Sequence, residues 1–112
     1  MNQGDAHAIF AYLAQRKHEM ISLLSALVSA ESPSLAPETQ GPVFALLAER
    51  LQALDYRAML QGRRPGWVSG GLLLAQPRQR RRGAAFQLLI GHCDTVWPVG
   101  ALATMPLTVQ GD

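Results

Sequence analysis

The run Phe86-Gln87-Leu88-Leu89-Ile90, closed by Gly91, constrains the fold more than any other stretch of the chain. A short apolar run of strand-favouring residues that stops at a glycine reads as a buried β-strand. Such a strand is apolar on both faces, so the sheet that holds it needs cover on both sides. His92, Cys93 and Asp94 follow at once. Side chains alternate along extended backbone, which sends His92 and Asp94 to one side and Cys93 to the other. An imidazole and a carboxylate so placed suit a metal ligand with its orienting partner, because a metal-bound histidine usually gives its second N–H to a carboxylate or carbonyl. The pair serves equally as a structural hydrogen bond.

Upstream, Ile9, Leu13, Met20, Leu23, Leu24, Leu27 and Val28 recur at three- and four-residue spacings, with Lys17 and Glu19 between them. This predicts an amphipathic helix over residues 6–30, capped by Asn2 or Asp5 and stopped at Ser32-Pro33-Ser34. His7 and His18 lie on this helix without a partner at ligand spacing, and are expected to be exposed or at the core edge. Residues 37–41 read as a loop. Pro42 then stands in the first turn of a second helix, where its missing N–H is harmless. Val43, Leu46, Leu47, Leu51 and Leu54 supply that helix with an apolar stripe, and it ends near Asp55. Residues 56–60 predict a first strand, 61–66 a turn, and 67–75 a second strand weakened or bulged at Gly70-Gly71. A basic turn over 77–83 leads into the third strand. The expected fold class is therefore α/β: two amphipathic helices followed by three strands.

Composition excludes several classes. The 112 residues are 48% apolar and 16% charged, which is globular and not disordered. The net charge is only +2, so no basic coat favours nucleic acid. Arg78, Arg80, Arg81 and Arg82 cluster between a proline and a glycine without interleaved aromatics, and read as a solvated hairpin tip. Cys93 is the single cysteine, so no internal disulfide forms and no zinc-finger spacing exists. It is expected to be a small buried side chain and not a nucleophile. No run approaches the ~18 apolar residues of a membrane span. Residues 20–30, after Arg16-Lys17, imitate a signal peptide, but they start late, contain Ser22, Ser25 and Ser29, and continue a helical pattern. A cytoplasmic protein is expected. Ser69 stands one position out of register for a Gly-x-Ser-x-Gly nucleophile elbow, and there is no glycine-rich phosphate loop.

The stretch Gly91-His92-Cys93-Asp94-Thr95-Val96, followed by Gly100, Leu102, Pro106 and Gly111-Asp112, resembles the first metal motif of the zinc aminoacylase/carboxypeptidase G family. That family includes glutamate carboxypeptidases, acetylornithine deacetylases, succinyl-diaminopimelate desuccinylases and aminoacylases, and the spelling after Asp94 looks most like the glutamate carboxypeptidase branch. Leu24 to Ser32 resembles the family's opening helix and serine-containing turn, and Leu47 to Leu54 its second helix. The resemblance implies that residues 1–112 are the amino-terminal part of one mixed-sheet catalytic domain, incomplete, with no complete second domain. It implies that His92 is a ligand to one of two zinc ions and that Asp94 orients and polarises its imidazole. The reaction implied is hydrolysis of an amide beside a carboxylate, on a small peptide or N-acyl amino acid. A zinc-activated water attacks, and a glutamate base carries its proton to the leaving amine.

In the family the bridging aspartate, the glutamate base and the other ligands follow the Gly-Asp at which this sequence stops. Since a catalytic zinc keeps three protein ligands and a water, this polypeptide alone is expected to be inactive and to bind zinc weakly at most. Dimerisation, which the family builds from a later domain, is not expected, nor is a nucleic-acid or membrane partner. The alternative is a non-enzymatic α/β binding module in which His92 and Asp94 are a structural pair. A basic binder of nucleic acid or an acidic partner through Arg78 to Arg82 stands third.

Overall fold

The computed structural model describes residues 3–79, 83 and 85–110. Three helices precede a two-stranded antiparallel sheet: α1 (Gln3–Gln15), α2 (Lys17–Ser29), α3 (Gly41–Ala53), β1 (Tyr56–Gly62) and β2 (Gly71–Pro77), with short 3-10 turns at Pro37–Thr39 and Ala101–Ala103. The α/β class is as expected, but the elements differ in detail. The single helix expected over residues 6–30 is two, and the third strand is not formed.

The helix break falls at Arg16, where neither proline nor glycine occurs. The Arg16 N–H bonds to the Leu13 carbonyl three residues back (3.0 Å), a tightened turn in place of an α turn. Its guanidinium lies over the Tyr12 ring (4.6 Å to the centroid) and bonds to Glu19 at 2.8 Å, so both flanking turns hold the tightened geometry. Asp5 lies within the first turn of α1, and Asn2 lies outside the described residues.

Pro42 occupies the first turn of α3 as predicted, and this helix carries Val43 and Phe44, which are buried. At its end Asp55 takes a left-handed conformation (φ 61°), its N–H bonded to the Gln52 carbonyl. The Asp55 carbonyl then accepts the Arg78 N–H at 3.0 Å, and its carboxylate stands 3.6 Å from the Arg78 guanidinium. This closes the open end of the β1–β2 hairpin, whose register pairs Tyr56 with Pro77 and Gly62 with Gly71. Residues 67–70, expected in the second strand, belong to the hairpin loop, and β2 starts at Gly71. Ala58, Leu73 and Ala75 are half-buried on the α3 side, while Met59, Leu72 and Leu74 are exposed on the other. One face of the sheet is covered and one is open.

Residues 86–90, the predicted third strand, form no strand and pair with neither β1 nor β2, and Leu89 is 93% exposed. β1 and β2 pair with each other and each keeps an open outer edge, which this segment does not occupy. The segment makes its sheet-like contact further on, in an isolated parallel bridge between Pro33 and Thr95. The radius of gyration, 16.9 Å, exceeds the ~13 Å of a compact chain this long, in line with so open an arrangement. Arg80, Arg81, Arg82, Gly111 and Asp112, singled out in the sequence, lie outside the described residues.

Candidate functional site

The site forms where the turn after α2 meets the segment that carries His92 and Asp94. Pro33 ends the helical region, and the backbone on either side of it runs parallel to residues 93–95. The Thr95 N–H donates to the Ser32 carbonyl at 2.9 Å, and the Ser34 N–H donates to the Thr95 carbonyl at 2.8 Å. The Ser32 hydroxyl, on a side chain only 1% exposed, donates to the Cys93 carbonyl at 2.8 Å. These bonds span some sixty residues of sequence and fix the path of the chain through Asp94.

Behind this turn, Gln40 is buried with both the nitrogen and the oxygen of its amide hydrogen-bonded. Its Nε2 donates to the Pro33 carbonyl at 3.2 Å, and its Oε1 accepts the Gly70 N–H at 3.0 Å. Gly70 is required there, since an added Cβ would lie 2.6 Å from the Pro37 carbonyl oxygen and closer still to Gln40 Oε1. On the other side, Glu31 takes the Gly100 N–H at 2.8 Å and the Leu102 N–H at 3.2 Å. Gly100 has φ 88°, a conformation that favours glycine and starts the 3-10 turn. Those backbone bonds, Gly100 first and Leu102 second, hold the Glu31 carboxyl below its ordinary pKa.

His92 and Asp94 lie on one side, as the alternation of an extended chain requires, with Nδ1 3.1 Å from Asp94 Oδ1. The other carboxylate oxygen, Oδ2, accepts the Ser34 hydroxyl at 2.6 Å. That bond is the main cause of a lowered Asp94 pKa; partial desolvation opposes it, and a backbone bond and His92 add to it. An ionised carboxylate only accepts, so this contact fits a ring with a proton on Nδ1, and in the neutral imidazole Nε2 then keeps its lone pair. The ring is largely exposed, with 84% of the side chain accessible. Cys93 is half-buried and borders the same space as the pair; burial, and secondarily the Asp94 charge, push its thiol pKa up. That disfavours the thiolate a nucleophile needs.

The pair borders a groove of about 860 Å³ between α3, β2 and residues 89–94, with Phe44, Leu47, Leu51, Leu73 and Leu89 lining it beside Ser34, His92 and Asp94. Among the described residues no group of three or more His, Cys, Asp and Glu side chains is placed to hold a metal ion. The structure therefore brings together one imidazole with a defined tautomer and a carboxylate fixed from two sides. Glu31, Ser34 and Gln40 were not among the sequence-derived site residues. Ser32 and Ser34 read there as a helix stop, and only the likeness to a serine-containing turn pointed to Ser32. No protein-family model, characterised protein or solved structure matches the chain.

Proposed function

We propose that the chain is the amino-terminal part of a zinc-dependent metallopeptidase or amidohydrolase of the carboxypeptidase type, in which His92 is a zinc ligand and Asp94 orients it. The observation that carries this is the Nδ1–Asp94 Oδ1 contact at 3.1 Å, with the second carboxylate oxygen tied to Ser34 at 2.6 Å. A neutral imidazole held in this way directs its remaining lone pair outward, which is the state a zinc site requires of a histidine. The donor set fits one zinc ligand and its partner. The other ligands, and the glutamate base, would come from outside the described residues.

When bound, zinc polarises a scissile carbonyl and lowers the pKa of a coordinated water. His92 then presents Nε2, Asp94 holds the Nδ1 proton, and Ser34 and the parallel bridge at Thr95 keep Asp94 in place. The substrate class is a small peptide or N-acyl amino acid cleaved at an amide beside a carboxylate, in the cytoplasm. No helix among the described residues is long and apolar enough to cross a membrane.

Zinc titration of the wild type and of His92→Ala tests the assignment. Weak binding that falls about tenfold or more in His92→Ala is expected, as for the loss of a ligand or its partner. Equal affinity in both proteins removes His92 as a ligand. That result would favour a non-enzymatic α/β binding module, for which the closed Ser34–Asp94–His92 hydrogen-bond chain already accounts for the pair.

A further inference from the structure

Asp94 has two oxygens and two partners on opposite sides: His92 Nδ1 on Oδ1 and the Ser34 hydroxyl on Oδ2. A serine hydroxyl has one proton to give. The Thr95 carbonyl is also within reach of it, at 3.0 Å, but the 2.6 Å contact to Asp94 is the shorter and meets a charged acceptor. Ser34 itself does not wander, because its N–H is bonded to the Thr95 carbonyl and the adjacent Ser32 is buried and bonded to Cys93. Without Ser34, the Asp94 side chain would be held by the exposed His92 ring and little else, and both would be free to leave the paired rotamers.

We propose that Ser34 is a positioning residue: its hydroxyl locks the Asp94 carboxylate in the orientation that keeps His92 as the Nδ1–H tautomer, with Nε2 as the free base. The geometry stands without a metal. Its use for metal binding rests on the zinc-ligand assignment of His92. In that setting Ser34 sets how well Nε2 is presented although it touches no ligand itself.

Long-range ¹H–¹⁵N correlation spectra of the metal-free full chain, labelled at its three histidines and recorded where imidazole is neutral, read the tautomer directly. His92→Ala identifies the His92 signals. The wild type is expected to show a protonated Nδ1 and an unprotonated Nε2 at His92. Ser34→Ala is expected to lower the ratio of that tautomer to the other by about two- to tenfold, the span of one net hydrogen bond. Ser34→Thr, which keeps the hydroxyl at an exposed position, restores it.

A wild-type His92 protonated mainly on Nε2 overturns the proposal before any variant is made, so it survives a Ser34→Ala protein that does not fold. An unchanged ratio in folded Ser34→Ala, or a Ser34→Thr protein that behaves like the alanine variant, also overturns it. A purely structural role would lower the melting temperature without moving the ratio. If the ratio moves while zinc affinity is indifferent to His92→Ala, the positioning role stands and the metalloenzyme assignment falls.

Discussion

The buried amide of Gln40 ties the hairpin loop to the turn that carries Ser32 and Ser34, and its removal gives a stability effect that can be worked from the structure. Gln40→Met keeps the length of the side chain and removes both hydrogen bonds. The Gly70 N–H loses the Gln40 oxygen it donates to, whereas the Pro33 carbonyl keeps the Ala36 N–H at 3.1 Å. An unmade bond at a buried group costs about 1–3 kcal/mol. Gly70 is half-buried, so water partly repays its loss, and the Pro33 carbonyl loses one of two donors; about 1–3 kcal/mol in all is expected. That is a large share of what holds a domain of this size together, at ~0.05–0.15 kcal/mol per residue. Urea unfolding followed by circular dichroism measures it as a lower midpoint at unchanged slope. Gly70→Ala provides the second leg, because its Cβ would meet the Pro37 carbonyl oxygen at 2.6 Å as well as the Gln40 amide. In a Gln40→Ala background part of that clash is gone, so the two substitutions are expected to be non-additive by about 0.5–3 kcal/mol. A Gln40→Met cost below about 0.5 kcal/mol, the level of an ordinary surface change, would refute the reasoning.

Two further predictions concern charge and exposure. The Glu31 carboxyl is held below its ordinary pKa of 4.5 by the backbone N–H groups of Gly100 and Leu102. Its stabilisation is therefore complete above the unfolded-state pKa and is lost as pH falls through the lower folded-state value. Thermal melts between about pH 3 and 7 should show Glu31→Gln less stable than wild type at neutral pH and converging with it in acid; a gap that is constant across that range would show that the carboxylate charge is not what holds the Gly100 turn. Leu89→Lys tests the exposed run. At 93% exposure it should change stability by less than about 0.5 kcal/mol and reduce dye binding to exposed apolar surface, whereas a cost above about 2 kcal/mol would mean that Leu89 is packed as a buried strand requires.

What the sequence made legible was local. Pro42 marked the start of α3 because a proline suits a first turn, and two apolar segments around a glycine-rich turn marked the hairpin. The same-side placement of His92 and Asp94 followed from backbone alternation alone. The third strand was misplaced because an apolar run states that a segment seeks cover, not which edge will pair with it. The break at Arg16 had no proline or glycine to announce it, and depends on Tyr12 and Glu19 acting together. Ser34, Glu31 and Gln40 were hidden for a different reason. The Ser34 and Glu31 bonds reach across 60 to 71 residues, the Gln40 bond to Gly70 across 30, and contacts at such separations leave no periodicity in a single chain.

The failure of the third strand to pair changes what must hold the His92–Asp94 pair. In a sheet, neighbouring strands would fix the backbone on both sides of Gly91, and the side chains would inherit that order. Here residues 86–90 form no strand and their large apolar side chains are exposed, so order arrives from the other direction. It does so through the two serines that flank Pro33: Ser32 bonds to Cys93 and Thr95, and Ser34 to Asp94 and Thr95. Glu31 then secures the chain again at Gly100 and Leu102. The pair is thus anchored through the residues that follow Gly91. Strand formation by residues 86–90 would therefore add rigidity to His92 from the amino-terminal side without disturbing the Ser34–Asp94 bond, and pairing of that run is the step by which a more complete sheet would stiffen the site.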